Sequence, residues 1–557
     1  MATITENLQT IKDSTMAIKQ AIIDKGGEVG DLTTYATAIT NLLIGGGGGS
    51  TSSNKGDVTF YDYDGTILHS FSKDEFLALN ELPSLPTQPG LICQEWNYDI
   101  TIAKTYVEEY GKLDIGATYI TDDGKTRLYI KIAAEGRMTV PLYFSQTVDN
   151  GVIIDWGDGS DTQSLSGTGN LNTSHTYASI GDYCITLTVT SGCTLGLGNN
   201  SSSYCVMGVL EDNWVVYCNM LQKVEIGSDV ISIGKYAFKD CTSLSSVVIP
   251  SNVTSIGSTA FFDCYSLCSL VIPSSVTSIE GNTFPQCYSL SSVVIPSSVT
   301  SIGGSMFNRC YSLSSVVIPS SVTSIGGSAF HYCYSLSSVV IPSSVTSIGA
   351  SAFHNCYSLS SVVIPSSVTT IGGNAFNSCY SLSSVVIPPK VTFIGYQAFQ
   401  YCYSLSSVEI PSSVTSISTA MFQYCYSLSS VEIPSSVINI TNYAFEYCYS
   451  LRSVVIPPKV TTIGISAFHS CTSLSSVVFP SSVTSIGDGA FNQCNGVAYY
   501  DFSNHTRVPT LSNTTVFIPK PSDGIIVPDS LYEEWIVATN WSVYASKIIK
   551  KSDWDAL

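Results

Sequence analysis

Residues 311–333 read YSLSSVVIPSSVTSIGGSAFHYC, and close copies of this stretch fill about half of the chain. A cysteine recurs every 23 residues from Cys218 to Cys494, and a phenylalanine stands three residues before it from Phe238 to Phe491. A fixed period of this length is the signature of a solenoid, in which each unit stacks on the next. The sequence therefore predicts a rod or shallow arc of stacked units.

The apolar positions of one unit predict how its chain is coiled. Leu244, Val247 and Ile249 supply the inward positions of a short strand, Pro250 ends that strand, and Phe261 closes the coil. No unit can bury these residues alone, whereas stacked units form ladders of identical side chains along a parallel sheet, at roughly 4.8 Å per strand. The cysteines then form a buried column of parallel structural thiols, because metal ligands would have to converge.

The unit pattern L-x-x-V-x-I-P-x-x-V-x-x-I-G-x-x-A-F-x-x-C, over about residues 218–496, closely resembles the BspA-like leucine-rich repeats of bacterial surface proteins. The resemblance implies a binding scaffold used in adhesion, without associated chemistry. We assign residues 206–496 to this solenoid and residues 497–557 to a C-terminal capping domain.

The C-terminal segment predicts a helix that covers the last open coil. Ser530 and Glu533 are spaced as a capping box that opens a helix, and Trp535 and Trp541 predict its apolar anchors. A cap of this kind prevents end-to-end aggregation of a solenoid.

One position in each strand should face outward, between the two inward residues. It is valine in most units, and Glu409 and Glu432 occupy it in two others. β-propensity alone explains such a strip, but an apolar strip also suits packing against another chain, so we hypothesise a homo-oligomer. The valines of this Val stripe are Val248, Val271, Val294, Val317, Val340, Val363, Val386, Val455 and Val478.

The differences between units collect along one edge, at the positions just before Ala-Phe and between Phe and Cys. This variable edge is either a solvent-facing region of drift or a recognition surface, where tyrosines would stack on sugar rings. Two histidines one unit apart also suggest a shared metal ion, but the pair lacks a carboxylate, and we predict no metal site. The candidate binding residues are His331, Tyr332, His354, Asn355, Tyr401, Tyr424, Glu446 and Tyr447.

Two segments precede the folded domains. Residues 1–44 predict two short amphipathic helices, separated at Gly26-Gly27. Such helices form a simple hairpin, assemble with copies of themselves or dock on a larger body, and we predict an oligomerisation or docking segment. Residues 45–56, GGGGGSTSSNKG, predict a flexible linker.

Residues 57–135 predict a small α+β domain, in which FYDYDGTILHS at residues 60–70 raises the question of an enzyme. An apolar run before Asp-x-Asp-Gly-Thr resembles the nucleophile motif of haloacid-dehalogenase-type phosphatases, with Asp62 as nucleophile and Asp64 as acid/base. The segment has too few strand-helix alternations for the doubly wound sheet of such an enzyme. We predict instead a hairpin, repeated around Asp123-Gly124, with both aspartates on a solvated face and no catalytic residue.

Residues 136–205 predict a β-sandwich. The order Trp156-Gly157-Asp158-Gly159, then His175-Thr176-Tyr177, then Gly181-x-Tyr183 resembles a PKD-type domain. The resemblance implies that the tryptophan and tyrosine are core residues and that the domain is a spacer or adhesive module. Asp155, Asp158 and Asp161 are the alternative as calcium ligands.

The composition excludes several classes of partner. The chain has 557 residues, of which 44% are hydrophobic, and a formal net charge of -19, which opposes binding to nucleic acid or anionic membranes. No apolar stretch reaches the roughly 18 residues that span a bilayer, so we expect no membrane insertion. The N-terminus is polar and amphipathic, unlike a secretory signal, and this favours a protein assembled in the cytosol.

Together these features predict a multidomain, mainly β protein in the order helices, linker, α+β domain, PKD-like β-sandwich, solenoid and cap. The N-terminal helices, the Asp-Gly hairpin unit and the VPDSLYEEW segment also resemble tail-fibre or other receptor-binding virion proteins of phages that infect gut bacteria. That resemblance implies a non-enzymatic virion fibre, without cofactor, that binds a bacterial cell-surface glycan or protein through its solenoid and a tail or capsid component through its helices. The alternatives are a bacterial surface adhesin and a structural virion decoration protein.

Overall fold

The computed structural model describes residues 56–62, 65–89, 91–121, 123–198, 204–209 and 215–557. The expected N-terminal helices, and all but the last residue of the expected linker, lie outside the described residues. Within the described ranges, no helix is both long and apolar enough to cross a bilayer. These residues form a small α+β domain, a two-sheet β-sandwich and a long solenoid.

The small domain is one sheet with two helices. Its elements are β1 Val58–Tyr61, β2 Ile67–Phe71, β3 Leu91–Trp96, β4 Leu113–Thr121, α1 Lys73–Leu77 and α2 Ile100–Tyr110. The sheet order is β2-β1-β4-β3, with β1 and β4 parallel and both outer pairs antiparallel. A capping box begins α1, because the Ser72 and Glu75 side chains each accept a hydrogen bond from the other's backbone N–H.

The first predicted Asp-Gly hairpin is confirmed and the second is wrong. β1 and β2 pair antiparallel around Gly65, whose φ is 87°. The segment after Asp123 instead leaves the small domain, because β5, Thr126–Ile132, pairs with strands of the sandwich and of the solenoid. The small domain therefore ends near Thr121, before the expected boundary at residue 135.

Seven strands form the β-sandwich, and its core is as predicted. Trp156 and Tyr177 are buried, and the Tyr177 hydroxyl donates a hydrogen bond to the Trp156 carbonyl at 2.8 Å. After β5 the strands are β6 Thr139–Gln146, β7 Val152–Asp155, β8 Gln163–Ser164, β9 Gly169–Thr176, β10 Gly181–Val189 and β11 Leu195–Leu197. One sheet contains β5, β10, β7 and β8, and the other contains β11, β6 and β9.

Each sheet of the sandwich continues into one sheet of the solenoid. β5 pairs antiparallel with Leu221–Glu225, and β11 pairs parallel with Val230–Ile233. These pairings satisfy backbone groups that an open end of the solenoid would expose as a template for aggregation. The sandwich therefore caps the N-terminal end of the solenoid. Between the two lie the strand pair Tyr204–Cys205 and Gly208–Val209 and the helix α3, Val215–Cys218.

Most solenoid turns carry two short strands, one on each of two parallel-stranded faces that we call the first and the second sheet. Each face is interrupted in places, and in one turn the second-sheet strand is reduced to a bridge at Ile302. Equivalent residues pair in register from unit to unit, as Ser338 does with Ser361. The first-sheet strands are Leu221–Glu225, Ser246–Val248, Ser269–Val271, Ser292–Val294, Ser315–Val317, Ser338–Val340, Ser361–Val363, Ser384–Val386, Ser407–Glu409, Ser430–Glu432, Val454–Val455 and Ser476–Val478. The second-sheet strands are Val230–Ile233, Ser255–Ile256, Ser278–Ile279, Ser324–Ile325, Ser347–Ile348, Thr370–Ile371, Phe393–Ile394, Ser416–Ile417, Asn439–Ile440, Thr462–Ile463, Ser485–Ile486 and Thr510–Leu511.

Phenylalanine and cysteine ladders run through the core. The phenylalanines from Phe238 to Phe491 stack on one another with ring centroids 5.1 to 5.7 Å apart. Every ladder cysteine is buried and outside any disulfide, and from Cys264 onward the thiol donates a weak hydrogen bond to the phenylalanine carbonyl 26 residues earlier, as Cys356 does to Phe330 at 3.2 Å. Burial also raises the pKa of the Cys356 thiol well above its ordinary value. The predicted buried structural thiols are confirmed.

The strand ladder continues past residue 496, into the segment expected to be a separate cap. The first sheet gains Tyr499–Asp501, Gly524–Val527 and Ile548–Lys550, each parallel to the strand before it. The solenoid has about 14 turns and extends from about residue 223 to about residue 550. The ladder therefore persists after the consensus residues end and although the spacing changes, since Tyr499 pairs with Gly524, because backbone pairing does not depend on the residue types.

The C-terminal anchors are as predicted, but the capping box is not. Trp535 and Trp541 are fully buried. The helix α4, Tyr532–Val537, begins after the 3-10 turn Asp529–Leu531 and has no side-chain cap, so the box expected at Ser530 does not form. The chain ends in α5, Lys551–Asp555.

Candidate functional site

Two columns of side chains form the variable edge. Backbone N–H groups of one column donate to carbonyls of the other column in the next unit, for example from Tyr332 to His354 at 2.9 Å. The column just before each cysteine contains Tyr332, Asn355, Tyr401, Tyr424 and Tyr447, and the column one residue earlier contains His331, His354 and Glu446. The structure thus brings all eight predicted residues to the same edge of the solenoid.

One of these columns has a backbone conformation that residues other than glycine seldom adopt. The φ angles are 60 to 63° at Tyr332, Asn355, Tyr401, Tyr424 and Tyr447. For an L-residue the left-handed region costs roughly 1–2 kcal/mol, which glycine would avoid. Asp240, Gln286 and Arg309 hold the same conformation in other units, so it belongs to the turn of the repeat and not to the edge tyrosines alone.

The edge tyrosines stack on each other. The rings of Tyr401 and Tyr424 lie 4.6 Å apart, those of Tyr424 and Tyr447 lie 4.8 Å apart, and both pairs are within 8° of parallel. A parallel stack at this distance covers the ring faces inside it, so the hydroxyl edges are what the stack presents to solvent. A sugar ring would find a free face only at the ends of this stack.

The two histidines also stack. The rings of His331 and His354 lie 4.6 Å apart, and Arg309 lies 5.5 Å from the Tyr332 ring beside them. Burial, with the positive charges of His354 and Arg309 nearby, lowers the pKa of His331 to about 4, and burial also lowers the pKa of His354. Both imidazoles are therefore neutral at pH 7. Among the described residues, no group of three or more His, Cys, Asp and Glu is arranged to hold a metal ion.

Glu446 belongs to a buried ladder of amide groups that the sequence did not reveal. Asn377 donates to the Gln400 side chain at 2.9 Å, Gln400 donates to Gln423, and Gln423 donates to Glu446. Glu446 and Asn355 are both buried, with 8% exposure each. Burial raises the pKa of Glu446, while the bond from Gln423 opposes that rise. Glu446 therefore links neighbouring units through this ladder, Asn355 is buried, and the tyrosines and histidines beside them are more open to solvent.

The Val stripe faces outward as predicted in the later units but not throughout. The exposed fraction is 73% at Val363, 72% at Val386 and 77% at Val455, yet only 7% at Val294 and 5% at Val317. Identical side chains in equivalent strands therefore have opposite environments. Something outside the repeat must cover the stripe near its N-terminal end.

The small α+β domain lies against the solenoid at this place. Turn serines of three successive units hydrogen-bond its side chains: Ser251 to Gln94 at 2.7 Å, Ser274 to Glu95 at 2.7 Å, and Ser297 to Asp99 at 3.2 Å. We attribute the burial of the first valines to this contact. An intramolecular contact with the small domain thus covers part of the Val stripe, and the part from Val363 onward stays exposed.

The phosphatase-like Asp62 is buried and not on a solvated face, in contrast to our prediction. Its carboxylate accepts hydrogen bonds from the Tyr119 hydroxyl and from Gln88, each at 2.5 Å. The prediction was wrong because both partners come from residues distant in sequence. Asp64 lies outside the described residues.

The sandwich aspartates make bonds within their own loop. Asp155 accepts from the Gly157 N–H, and Asp158 accepts from the Ser160 N–H and contacts His175 at 2.7 Å. Hydrogen bonds from Ser160 and His175 lower the pKa of Asp158 to about 2. These contacts explain the loop without a calcium ion.

The fold defines the chain as a parallel β-solenoid repeat protein, and comparison with known families makes this specific. The model of the BspA type leucine rich repeat region matches in six copies, at residues 210–337, 323–452 and 438–513. These matches cover more than half of the chain, which therefore belongs to the BspA-type leucine-rich repeat family. The relatives in this family are leucine-rich repeat proteins, generally non-enzymatic repeat scaffolds.

Several solved structures are similar to this chain. A leucine-rich repeat protein from Bacteroides ovatus is 28% identical, over 53% of this chain and 84% of that chain, with a TM-score of 0.46. A leucine rich cell surface protein from Faecalibacterium prausnitzii is 32% identical, over 53% and 82%, with a TM-score of 0.36. A leucine-rich repeat protein from Eubacterium ventriosum is 25% identical, over 57% and 92%, with a TM-score of 0.39. No curated protein matches the sequence.

Proposed function

We propose that this chain is a non-enzymatic adhesive surface protein that recognises a bacterial cell-surface glycan or protein through its solenoid. The observation that carries the proposal is the variable edge. On a scaffold of nearly identical units, unlike side chains are concentrated in a few columns. A rigid ladder presents such side chains in a fixed order and spacing, which suits a multivalent binding surface.

Two biological settings fit this function. Membership of the BspA-type family supports a bacterial surface adhesin. The narrower setting is a virion fibre of the phage tail-fibre type, supported by the resemblance of residues 1–44 and of the VPDSLYEEW segment to such proteins. In that setting residues 1–44 dock on a tail or capsid component, the PKD-like β-sandwich is a spacer, and the exposed part of the Val stripe joins copies into a homo-oligomer.

The test is binding of the fluorescently labelled full chain to a panel of gut bacteria. We expect strain-selective labelling, reduced at least tenfold when Tyr401, Tyr424 and Tyr447 are all replaced by serine. The fold should tolerate this change, because Ser378 and Ser470 already occupy the same left-handed position in other units.

A second variant replaces Val363 and Val386, on the first sheet, by serine and should retain strain-selective labelling, with any decrease matched by dissociation of the oligomer in light scattering. Loss of labelling in this variant without dissociation would move the binding surface to the Val stripe. Absence of labelling on every strain would contradict the adhesive function. Antibody labelling of intact cells and of purified phage particles, viewed by electron microscopy, separates the two settings.

A further inference from the structure

An exposed apolar patch lies on the outer side of the second sheet and includes positions of the variable edge just before Ala-Phe, beside its two columns between Phe and Cys. Its three aromatic members are exposed by 56% at Phe393, 57% at Tyr396 and 36% at Tyr443, and its aliphatic members are Ile438 and Ile465. These five residues form what we call the second-sheet patch. Phe393 and Tyr396 lie in one unit, Ile438 and Tyr443 lie two units later, and Ile465 lies in the unit after that. At roughly 5 Å per unit, Tyr396 and Tyr443 are about 10 Å apart along the solenoid.

The solenoid does not need large apolar residues at these positions. Other units place small or polar residues there without loss of the strand pairing that continues across them. The equivalents of Phe393 include Ser347 and Thr370, those of Tyr396 include Gly327 and Ala350, and those of Ile438 include Thr415 and Thr461. The patch therefore adds a property to the surface that the fold itself does not require.

The aromatic rings of the patch differ from the stacked tyrosines of the variable edge. Within the described residues, Phe393, Tyr396 and Tyr443 make no ring-to-ring contact. Tyr396 lies flat over Gly373, because a Cβ atom at residue 373 would stand 2.7 Å from Tyr396 Cε1 and 3.1 Å from its Cζ. One face of this ring is therefore supported by backbone, and the other is open to solvent.

Neutral hydrogen-bonding groups surround these rings. The corresponding stretches of the four units, residues 392–397, 415–420, 438–443 and 461–466, contain no charged residue. Thr419, Asn439 and Asn442 stand between the apolar members and interrupt the patch. A flat protein partner would favour a continuous apolar area, whereas a sugar offers an apolar C–H face bordered by hydroxyl groups.

We propose that the second-sheet patch binds a neutral oligosaccharide, with pyranose rings stacked on Tyr396 and Phe393 and their hydroxyl groups bonded to Asn439 and Asn442. This inference rests on the proposed adhesive function and names its ligand class and contact surface. The net charge of -19 further disfavours an anionic glycan.

The test is affinity electrophoresis of the full chain in native gels that contain mannan, dextran, arabinogalactan or β-glucan. We expect at least one of these neutral polysaccharides to retard the protein, and we expect Tyr396→Ala and Phe393→Ala each to weaken that retardation at least tenfold. Gly373→Ala should weaken it too, because the added methyl group displaces the Tyr396 ring without removing it. Gly304→Ala is the matched control and should change nothing, since its Cβ meets only a carbonyl oxygen at 3.4 Å.

No retardation in any gel, or retardation that survives Tyr396→Ala, would overturn the inference. So would an oligomer, measured by light scattering, that dissociates in Tyr396→Ala, because the patch would then join copies of the chain. Cell labelling separates this inference from the function it rests on. Labelling of cells without retardation in any gel refutes only the patch, whereas patch-dependent retardation without labelling of any strain refutes only the adhesive function.

Discussion

Replacing Phe376 by alanine tests whether the core ladder stabilises the solenoid locally. The Phe376 ring is fully buried and stacks between Phe353 and Phe399, with centroids 5.4 and 5.5 Å away. Removing a buried phenylalanine side chain costs about 3–5 kcal/mol, since the transfer free energy is lost and a cavity remains. The two neighbouring rings each lose a stacking partner, so we place the cost toward the upper end of that range.

Native-state hydrogen exchange, read by mass spectrometry, measures this cost unit by unit. Because each unit contacts only its neighbours, the loss of protection should be greatest in Ser361–Val363 and Ser384–Val386 and should fade toward Ser476–Val478. Phe393→Ala is the matched control, one unit away, because its side chain is 56% exposed and should cost within about 0.5 kcal/mol. A cost below about 1 kcal/mol for Phe376→Ala, or equal costs for the two variants, would refute the reasoning.

Three further predictions concern docking, pH and thiol chemistry. Glu95→Ala should weaken the docking of the small domain by about 1–3 kcal/mol, seen as faster hydrogen exchange at Ser292–Val294, because Ser274 loses a charged acceptor. The His331 pKa of about 4 lies below the ordinary value, so its contribution to stability is present above about pH 6.5 and is lost as pH falls toward 4; His331→Asn should flatten thermal stability across that window. Iodoacetamide at pH 8 should label the exposed Cys268 well before the buried Cys356, as followed by peptide mass spectrometry.

Each of these predictions has an outcome that contradicts it. Unchanged exchange in Glu95→Ala would mean that the small domain does not cover the stripe through this contact. If His331→Asn loses stability equally steeply on acidification, other groups cause the pH dependence. Asparagine is a suitable substitution because Asn308 and Asn377 occupy the same column in other units. Early labelling of Cys356 would mean that the central units open readily.

The sequence predicted the fold of the repeats because the same apolar pattern recurs in every unit. Leu244, Val247 and Phe261 recur at a fixed spacing, and their burial in the structure is what that spacing predicts. The second Asp-Gly hairpin failed for the opposite reason: residues Thr121 and Thr126 are close in sequence, but their strands find partners in different sheets.

The candidate site was predicted in part. The edge columns were visible as variation between units, but the amide ladder from Asn377 to Glu446 was not, because a hydrogen bond between side chains 23 residues apart depends on the stacking itself. Inspection of each column across units would have shown the run of amides. The same comparison would have shown Phe393 and Tyr396 as large residues among small ones.

By itself the sequence determined the solenoid, its inward ladders and the columns that vary, because a repeated unit leaves one way to bury its apolar positions. Only the tertiary structure determined which valines of the Val stripe are exposed to solvent. Val294 and Val363 have the same neighbours in sequence, yet one is covered and the other is 73% exposed. We attribute the difference to the small domain, whose Gln94, Glu95 and Asp99 bond turn serines of the solenoid, and no local pattern specifies where that domain packs.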